Sequence, residues 1–375
     1  MRKILAVAFL LSAVLSIPSA AAARPIGGAG ISGDAAAWSV FVAMTAPAAS
    51  PRTKAVAFET WASDSDIFSS VPPHWPTVPT KHLLRSLAAS AADRAAHVLE
   101  APLAGCYPKG GKAGNFPAGA CIGEEVQHNR PVFDTIVSNG LFTTAGLARS
   151  FTGGKPIVFP NTSIVVKADW ILVKDILRWL PKAYKTADDV RGAYYTNMAT
   201  LNGISGEYAL AGMSVQSRMI PQWLWMTFEH RSNPGRCDEI GCHDDFGAVV
   251  PDVAPRATGN TDYGPCAKPP MLIWMFAKAG IAPVWNNYCL KGSQYTFDDK
   301  AGKPTVLANS VIERMNKGVP VLQTSCITCH AYAAFDAKGQ PNYGALEPPP
   351  VGAVALPLPA PWKSYDYVWG LLAAH

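Results

Sequence analysis

Two cysteines and a histidine near the C-terminus form the spacing with the most specific chemistry in this chain. The segment reads Cys326-Ile327-Thr328-Cys329-His330, which is a C-x-x-C-H pattern. Thiols three positions apart lie on one side of a helical turn, where both can add to the vinyl groups of one porphyrin. The imidazole that follows can then bind the iron. The pattern predicts covalent attachment of one haem c, with Cys326 and Cys329 as thioether sites and His330 as the proximal ligand.

The sixth coordination position decides the chemistry of such an iron. A second protein ligand favours electron transfer, whereas an open position favours the binding of small ligands. No methionine follows His330, and the only histidine after it is His375. Apart from His375, the distal candidates therefore lie upstream. They are His230, Met226, Met213 and Met219, with Met315 nearer in sequence. An iron that is open or bound to water is the alternative.

The N-terminus has the pattern of a secretory leader. Arg2 and Lys3 precede an apolar run from Ile4 to Leu15, and Ala20 to Ala23 offers small residues for cleavage. The apolar run is short for a membrane crossing, so residues 1–23 are predicted to be a signal peptide, with a membrane anchor as the alternative. We expect an exported, periplasmic bacterial protein with no stable membrane span after cleavage. Covalent haem attachment outside the cytoplasm agrees with this prediction.

Charge and composition exclude some kinds of partner. The formal net charge is +5, charged residues make up 16% of the chain, and no cluster of Lys and Arg is present. We therefore predict no binding to nucleic acid. A mildly basic surface favours an acidic redox partner protein, whose identity the sequence does not reveal. The 32 prolines and 31 glycines predict many turns and loops.

Six further cysteines favour disulfides, because an even number in an exported chain is typical of oxidised pairs. Proximity in sequence predicts the pairs Cys106–Cys121, Cys237–Cys242 and Cys266–Cys289. Two metal sites compete with part of this interpretation. One uses Cys237, Cys242 and His243. The other is a calcium site formed by Asp238, Glu239, Asp244 and Asp245.

The middle of the chain has strand patterns. Residues 163–170 are rich in β-branched side chains, and Tyr208–Met219 and Trp223–His230 predict two further strands joined through residues 220–222. If Trp223–His230 is extended, one face carries Trp223 and Trp225, and the other carries Met226, Phe228 and His230. The adjacent residues Glu124 and Glu125 are predicted to be solvated.

Helices are predicted on both sides of these strands. Residues 24–80 are predicted to be irregular, and helices are expected over 81–100, 132–140 and 143–151. Ser310 and Glu313 predict a capping box for a helix through residue 317. Thr324 or Ser325 then caps a motif-bearing helix that runs to about residue 337, and residues 365–374 form a last short helix.

These elements predict an α+β fold with an antiparallel β core, peripheral helices, many loops and a C-terminal helical segment that binds c-type haem. We divide the chain into residues 1–23 as the signal peptide, 24–302 as a disulfide-braced mixed body and 303–375 as the haem-attachment segment. That last segment is poor in apolar sequence. We therefore expect it to pack on the body rather than to enclose a haem alone.

At Ser325–His330 the chain resembles c-type cytochromes, and this resemblance implies covalent haem with His330 as an axial ligand. Together with the Trp223–His230 segment, the motif is similar to that of a family of uncharacterised exported bacterial proteins labelled as cytochromes. The chain departs from small cytochromes c, whose motif lies near the N-terminus with an axial methionine downstream. It also departs from the shorter, all-helical four-helix-bundle cytochromes.

Three functions follow from these observations. The first is an exported mono-haem c-type cytochrome that transfers electrons in the periplasm. The second is a haem-dependent oxidoreductase or peroxidase-like enzyme with an open or weakly held sixth position, because an electron carrier needs far fewer residues than this chain has. The third is a haem-based ligand-binding module. A disulfide or a thioredoxin-like pair at Cys326 and Cys329 competes with all three.

Overall fold

A single mixed sheet organises most of the residues that the structure describes. The computed structural model describes residues 31–48, 55–69, 72–77, 82–84, 116–201, 203–257, 260, 262–316, 319–342, 344 and 350–375. Its helices are α1 (Gly33–Thr45), α2 (Asp64–Phe68), α3 (Arg130–Ser138), α4 (Thr144–Thr152), α5 (Val173–Trp179), α6 (Ala187–Ala193), α7 (Pro270–Lys278) and α8 (Cys326–Ala331). Its strands are β1 (Ala62–Ser63), β2 (His82–Leu84), β3 (Ile122–His128), β4 (Ile164–Leu172), β5 (Thr196–Leu201), β6 (Ile204–Ser217), β7 (Leu224–His230), β8 (Cys242–His243), β9 (Asp252–Val253), β10 (Tyr288–Gln294), β11 (Ala334–Phe335) and β12 (Lys363–Ser364).

The long strand β6 joins two halves of the eight-stranded sheet. One edge of β6 pairs with β4, and the other edge pairs first with β5 and then with β7. Strand β3 lies between β1 and β4, and β10 completes the opposite side by pairing with β7. All of these pairs are antiparallel, and the β2–β5 pair is parallel. The structure therefore confirms a mixed α+β fold with an antiparallel core.

The two faces of this sheet have different coverings. Leu224, Met226 and Phe228 point into a core shared with α1 and α7; we call this side the helix face. Trp223 and Trp225 point into a second core that contains Ile327 of α8; we call this side the motif face. The prediction that Trp223–His230 is a strand with two distinct faces is confirmed.

Helix α1 corrects the prediction that residues 24–80 are irregular. Ser32 caps it by accepting a hydrogen bond from the Ala35 amide at 3.1 Å. Trp38 and Phe41 pack on Phe228, with ring centroids 5.1 and 4.5 Å away. Because α1 is apolar on most of its circumference, its sequence lacks the one-sided periodicity that identifies a surface helix.

Strands β4, β6 and β7 and helices α3 and α4 lie where they were predicted, within a few residues at each end. The helix predicted over 81–100 is wrong at the residues described there, because His82–Leu84 pairs with Ala199–Leu201 as a strand. Residues 85–100 lie outside the described ranges. A pairing partner more than a hundred residues away has overridden the local helical pattern.

The C-terminal segment differs from prediction in its helix type and boundaries. Residues Ser310–Asn316 form a π-helix, and Asn309 rather than Ser310 caps it, since its Oδ1 accepts from the amides of Val311 and Ile312. Helix α8 begins after the Ser325 cap, as one of the two predicted caps, but ends at Ala331. Ala334–Phe335 pairs with Lys363–Ser364 instead of extending the helix. Trp369–Ala373 forms a 3₁₀ helix.

Two predicted disulfides are present, Cys237–Cys242 and Cys266–Cys289. Cys121 is disulfide-bonded, and its predicted partner, Cys106, lies outside the described residues. None of the described helices combines the length and the apolar character needed to cross a membrane.

Candidate haem-attachment site

Helix α8 presents the three motif side chains on one half-exposed face. Cys326, Cys329 and His330 are each half-buried. Ile327, Thr328 and Ala331 point the other way and are 0 to 1% exposed. The spacing i, i+3, i+4 aligns the two thiols and the imidazole along the same side of the helix.

Gln294 at the end of β10 fixes the start of α8. Its Nε2 donates to the Ser325 Oγ at 2.9 Å, and its Oε1 accepts from the Ile327 amide at 3.0 Å. Gln294 is 3% exposed, so both hydrogen bonds are shielded from water. The helix is therefore docked on the motif face by a side chain of the sheet.

The ring of His330 is held in the tautomer that an iron ligand needs. Its Nδ1 lies 2.8 Å from the backbone carbonyl oxygen of Tyr367. A carbonyl oxygen only accepts, so Nδ1 carries the proton and donates, and in neutral imidazole the lone pair is on Nε2. Histidines that bind metals usually donate their second ring N–H in this way, which orients the ring and raises its basicity.

Aromatic side chains surround the same histidine. The ring centroid of Trp225 lies 4.4 Å from that of His330, with the planes inclined at 45°. Trp225 is itself held by a 3.1 Å hydrogen bond from Nε1 to the Gln222 carbonyl. Trp369 donates from Nε1 to the carbonyl of Cys329 at 3.1 Å. The end of α8 therefore contacts both the sheet and the C-terminal 3₁₀ helix.

His230 is engaged elsewhere in the fold. It is fully buried and stacked on Tyr194, with centroids 3.5 Å apart. Its Nε2 donates to the Ala193 carbonyl at 3.0 Å, and its Nδ1 accepts from the Ser232 amide at 3.2 Å. Burial lowers the pKa of His230 to about 3. Both ring nitrogens therefore have partners in the protein, and the ring is neutral at ordinary pH.

The structure does not bring the methionine candidates together with His330. Met213 and Met226 lie in the core on the helix face, and Met219 packs against that same core. Met315 belongs to a third core around α5 and α6. The side chain of His375 is exposed, and its backbone is tied to Phe142 and Thr144.

Sequence reasoning missed the residues that support the motif. Gln294, Trp225 and Tyr367 act on α8 from distant points in the chain. Strand register places Gln294 and Trp225, whereas Tyr367 lies in the segment between β12 and the C-terminal 3₁₀ helix. Five residues that are direct partners on neighbouring strands form a row across the motif face: Gln294, Trp225, Gln216, Val165 and His128. In an extended strand, side-chain direction alternates from residue to residue, and this is the local rule that places the Trp225 ring on the face opposite to Leu224 and Met226.

His128 lies on the motif face, three strands from Trp225. Successive strands are about 4.8 Å apart, so the two backbones are separated by about 14 Å. The imidazole is fully buried, and its Nε2 lies 2.7 Å from Oδ1 of Asp64. Its Nδ1 has no hydrogen-bond partner among the described residues. Sequence analysis gives no reason to select this histidine.

No family model, curated protein or solved structure matches this chain.

The structure does not keep the ligand sets of the two alternative metal sites as they were predicted. The disulfide between Cys237 and Cys242 removes both thiolates as ligands for the first of them. His243 instead approaches Asp34 and Asp245, and their donor atoms lie within 4.8 Å of one another. This spacing suits a divalent cation, but the Asp34 oxygens already accept from the Asp245 amide and the Ser293 hydroxyl. Asp244 is not available to a calcium ion in the same way, since its carboxylate accepts from Trp38 and Gly247.

The prediction that Glu124 and Glu125 are solvated is wrong. They are 8% and 6% exposed. Glu124 lies 3.9 Å from Nζ of Lys167, and Glu125 accepts from the Trp170 indole at 2.9 Å. Because they are adjacent residues of strand β3, their side chains point to opposite faces of the sheet, and both carboxylates are buried there.

Proposed function

We propose that this protein is an exported mono-haem c-type cytochrome, with thioether bonds at Cys326 and Cys329 and His330 as the axial ligand. The observation that carries the proposal is the hydrogen bond from His330 Nδ1 to the Tyr367 carbonyl within the C-x-x-C-H motif. It leaves the lone pair on Nε2, which is the state that binds iron. When bound, the haem supplies an iron that exchanges one electron with a redox partner protein in the periplasm.

The residues around the motif have defined tasks under this proposal. The Tyr367 carbonyl orients the imidazole and Trp225 limits its rotation. Gln294 and Ser325 hold the helix that carries both thiols. Cys326 and Cys329 are both partly exposed, and their thiols would hold the haem through thioether bonds.

A second candidate function is a haem protein that binds or turns over a small ligand. The observation that favours it is that His230, Met213 and Met226 point to the helix face of the sheet, whereas Trp225 points to the motif face. If no other side chain bound the iron, its sixth position would be open to water or to an external ligand. Peroxide turnover or gas binding then becomes the expected activity.

Covalent attachment is tested first, in a host with haem-attachment machinery. Denaturing electrophoresis with haem staining should show a stained band for the native chain and none for Cys326→Ala/Cys329→Ala. His243→Ala is the matched control, because it removes an exposed histidine outside the motif and should leave the band unchanged. An unstained native band from an exported, folded protein would overturn the proposal.

The visible spectrum with and without CO then separates the two candidates. Sharp low-spin bands that do not respond to CO indicate a protein ligand at the sixth position and an electron carrier. An immediate shift on adding CO indicates an open iron, and turnover of peroxide with a reducing dye would then identify an enzyme. Loss of that turnover in His330→Ala assigns it to this haem.

A further inference from the structure

A cavity of about 270 Å³ lies in the loop region between β7 and α7, away from the C-x-x-C-H motif. Val249, Val250, Val253 and Leu290 supply apolar walls. Cys242 and Cys266 also line the cavity, and each belongs to a different disulfide. The two covalent links hold the walls in place, so the cavity does not need to form on binding.

The guanidinium of Arg236 supplies a positive charge to the wall of this cavity. Arg236 is 2% exposed and lines the wall. Its Nε has no hydrogen-bond partner among the described residues. Its other contacts are long: Nη2 donates to the Gly264 carbonyl at 3.4 Å, and Nη1 lies 3.8 Å from the Cys242 sulfur. A buried donor without a partner is costly, so this site favours an acceptor from outside the chain.

The charge of Arg236 is also incompletely balanced by the protein. Burial lowers the pKa of the Arg236 guanidinium, although Glu229 acts in the opposite direction. The Glu229 carboxylate already accepts from the Ser310 amide at 2.8 Å and lies 3.6 Å from Nζ of Lys291. Asp244, which also lines the cavity, has its oxygens occupied by Trp38 and Gly247. An anion would supply the missing compensation.

We propose that this cavity binds a small carboxylate with an apolar body, whose carboxylate pairs with the guanidinium of Arg236. The apolar body lies against the valine and leucine walls. The ring of Tyr263, 5.4 Å from the guanidinium carbon, covers the charged end. At about 270 Å³ the cavity is slightly smaller than the range of about 300 to 1,000 Å³ that is usual for ligand pockets, which limits the ligand to a small molecule. This site does not depend on the haem.

Calorimetric titration of the full exported protein with benzoate tests the site, with benzamide as the neutral probe of the same shape. A charge-assisted hydrogen bond to a buried guanidinium predicts that benzamide binds at least about 10-fold more weakly than benzoate. Equal affinities, or no benzoate binding at millimolar concentration, would overturn the proposal.

Variants at the cavity mouth locate the binding without disturbing Arg236. Val250 is 68% exposed, so Val250→Trp should fold normally while its ring obstructs the cavity. Val158, 56% exposed and outside the cavity lining, gives the matched control Val158→Trp. Benzoate affinity should fall at least about 10-fold in the first variant alone. Equal benzoate binding by both variants would place the ligand elsewhere, for example at the haem iron, and would exclude this site.

Arg236→Met tests the guanidinium directly. The variant should lose the preference for benzoate over benzamide. Circular dichroism checks that this variant is folded. If it is not folded, the benzoate titration of Val250→Trp still tests the site.

Discussion

The two faces of the central sheet are held to their coverings by different kinds of contact. On the helix face, Phe228 packs between the rings of Trp38 and Phe41. On the motif face, Gln294 binds α8 through two buried hydrogen bonds, and Trp225 contacts a half-buried imidazole. Ring packing stabilises without fixing one orientation, whereas directional hydrogen bonds position a group for chemistry. The motif face is therefore the part of the body suited to hold a reactive helix.

The largest expected effect comes from truncating one ring on each face of the same strand. Phe228→Ala and Trp225→Ala should each lower the free energy of unfolding by about 3 to 5 kcal/mol, because both remove a buried ring. Denaturant titration measures the loss. Under the proposed function, haem per folded molecule should stay normal in Phe228→Ala and fall in Trp225→Ala. Equal haem content in the two variants would abolish the functional distinction between the faces.

Gln294→Met should destabilise the motif face locally by about 1 to 3 kcal/mol. The substitution leaves the Ile327 amide buried without its acceptor. Hydrogen exchange at residues 326–331 should accelerate while exchange in β4 and β6 is unchanged. Gln323→Ala, an exposed glutamine close to the same helix, serves as the control. Faster exchange throughout the sheet would mean that Gln294 supports the whole fold rather than α8.

Burial of His230 should make the free energy of unfolding fall as the pH is lowered. Burial lowers its pKa to about 3 in the folded protein, below the ordinary value of 6.5. Between these two values the unfolded chain binds a proton that the folded protein does not bind. The contribution of His230 to the free energy of unfolding is therefore complete above about pH 6.5. It is lost as the pH falls towards 3, by up to about 1.4 kcal/mol per pH unit.

Denaturant titrations of the native chain and His230→Gln from pH 7 to pH 4 measure this effect. Burial raises the pKa of Asp34 to about 6, so that carboxyl group stabilises the folded state as pH falls through 6. The difference between the two proteins isolates the histidine, since Asp34 is present in both. Parallel pH profiles would show that folding does not lower the pKa of His230.

The smallest effect is expected at the cap of α8. Ser325→Ala removes the Oγ that accepts from the Thr328 amide and from Gln294 Nε2, at a cost of about 0.5 to 2 kcal/mol. Ser325→Thr retains an acceptor and should recover most of the loss. Thermal unfolding compares the three proteins. A loss in Ser325→Thr equal to that in Ser325→Ala would show that the cap is not the stabilising contact.

Sequence reasoning succeeded where local patterns agree with the tertiary environment. Alternation identified β7 and both of its faces, and short sequence distances identified Cys237–Cys242 and Cys266–Cys289. It failed for α1, which is buried on most sides, and for His82–Leu84, which belongs to a sheet whose partner strand is remote. In both cases a distant surface determined the conformation.

The chemistry of the C-x-x-C-H motif follows from covalent spacing, because two thiols and an imidazole within five residues lie close together in any helical turn. The choice of a sixth ligand does not follow from spacing, because it depends on which distant side chains share a face of the sheet. Strand register places Trp225 and Gln294 beside α8 and turns His230, Met213 and Met226 away from it. A shift of one residue in that register would reverse the assignment, since alternate side chains of a strand point to opposite faces.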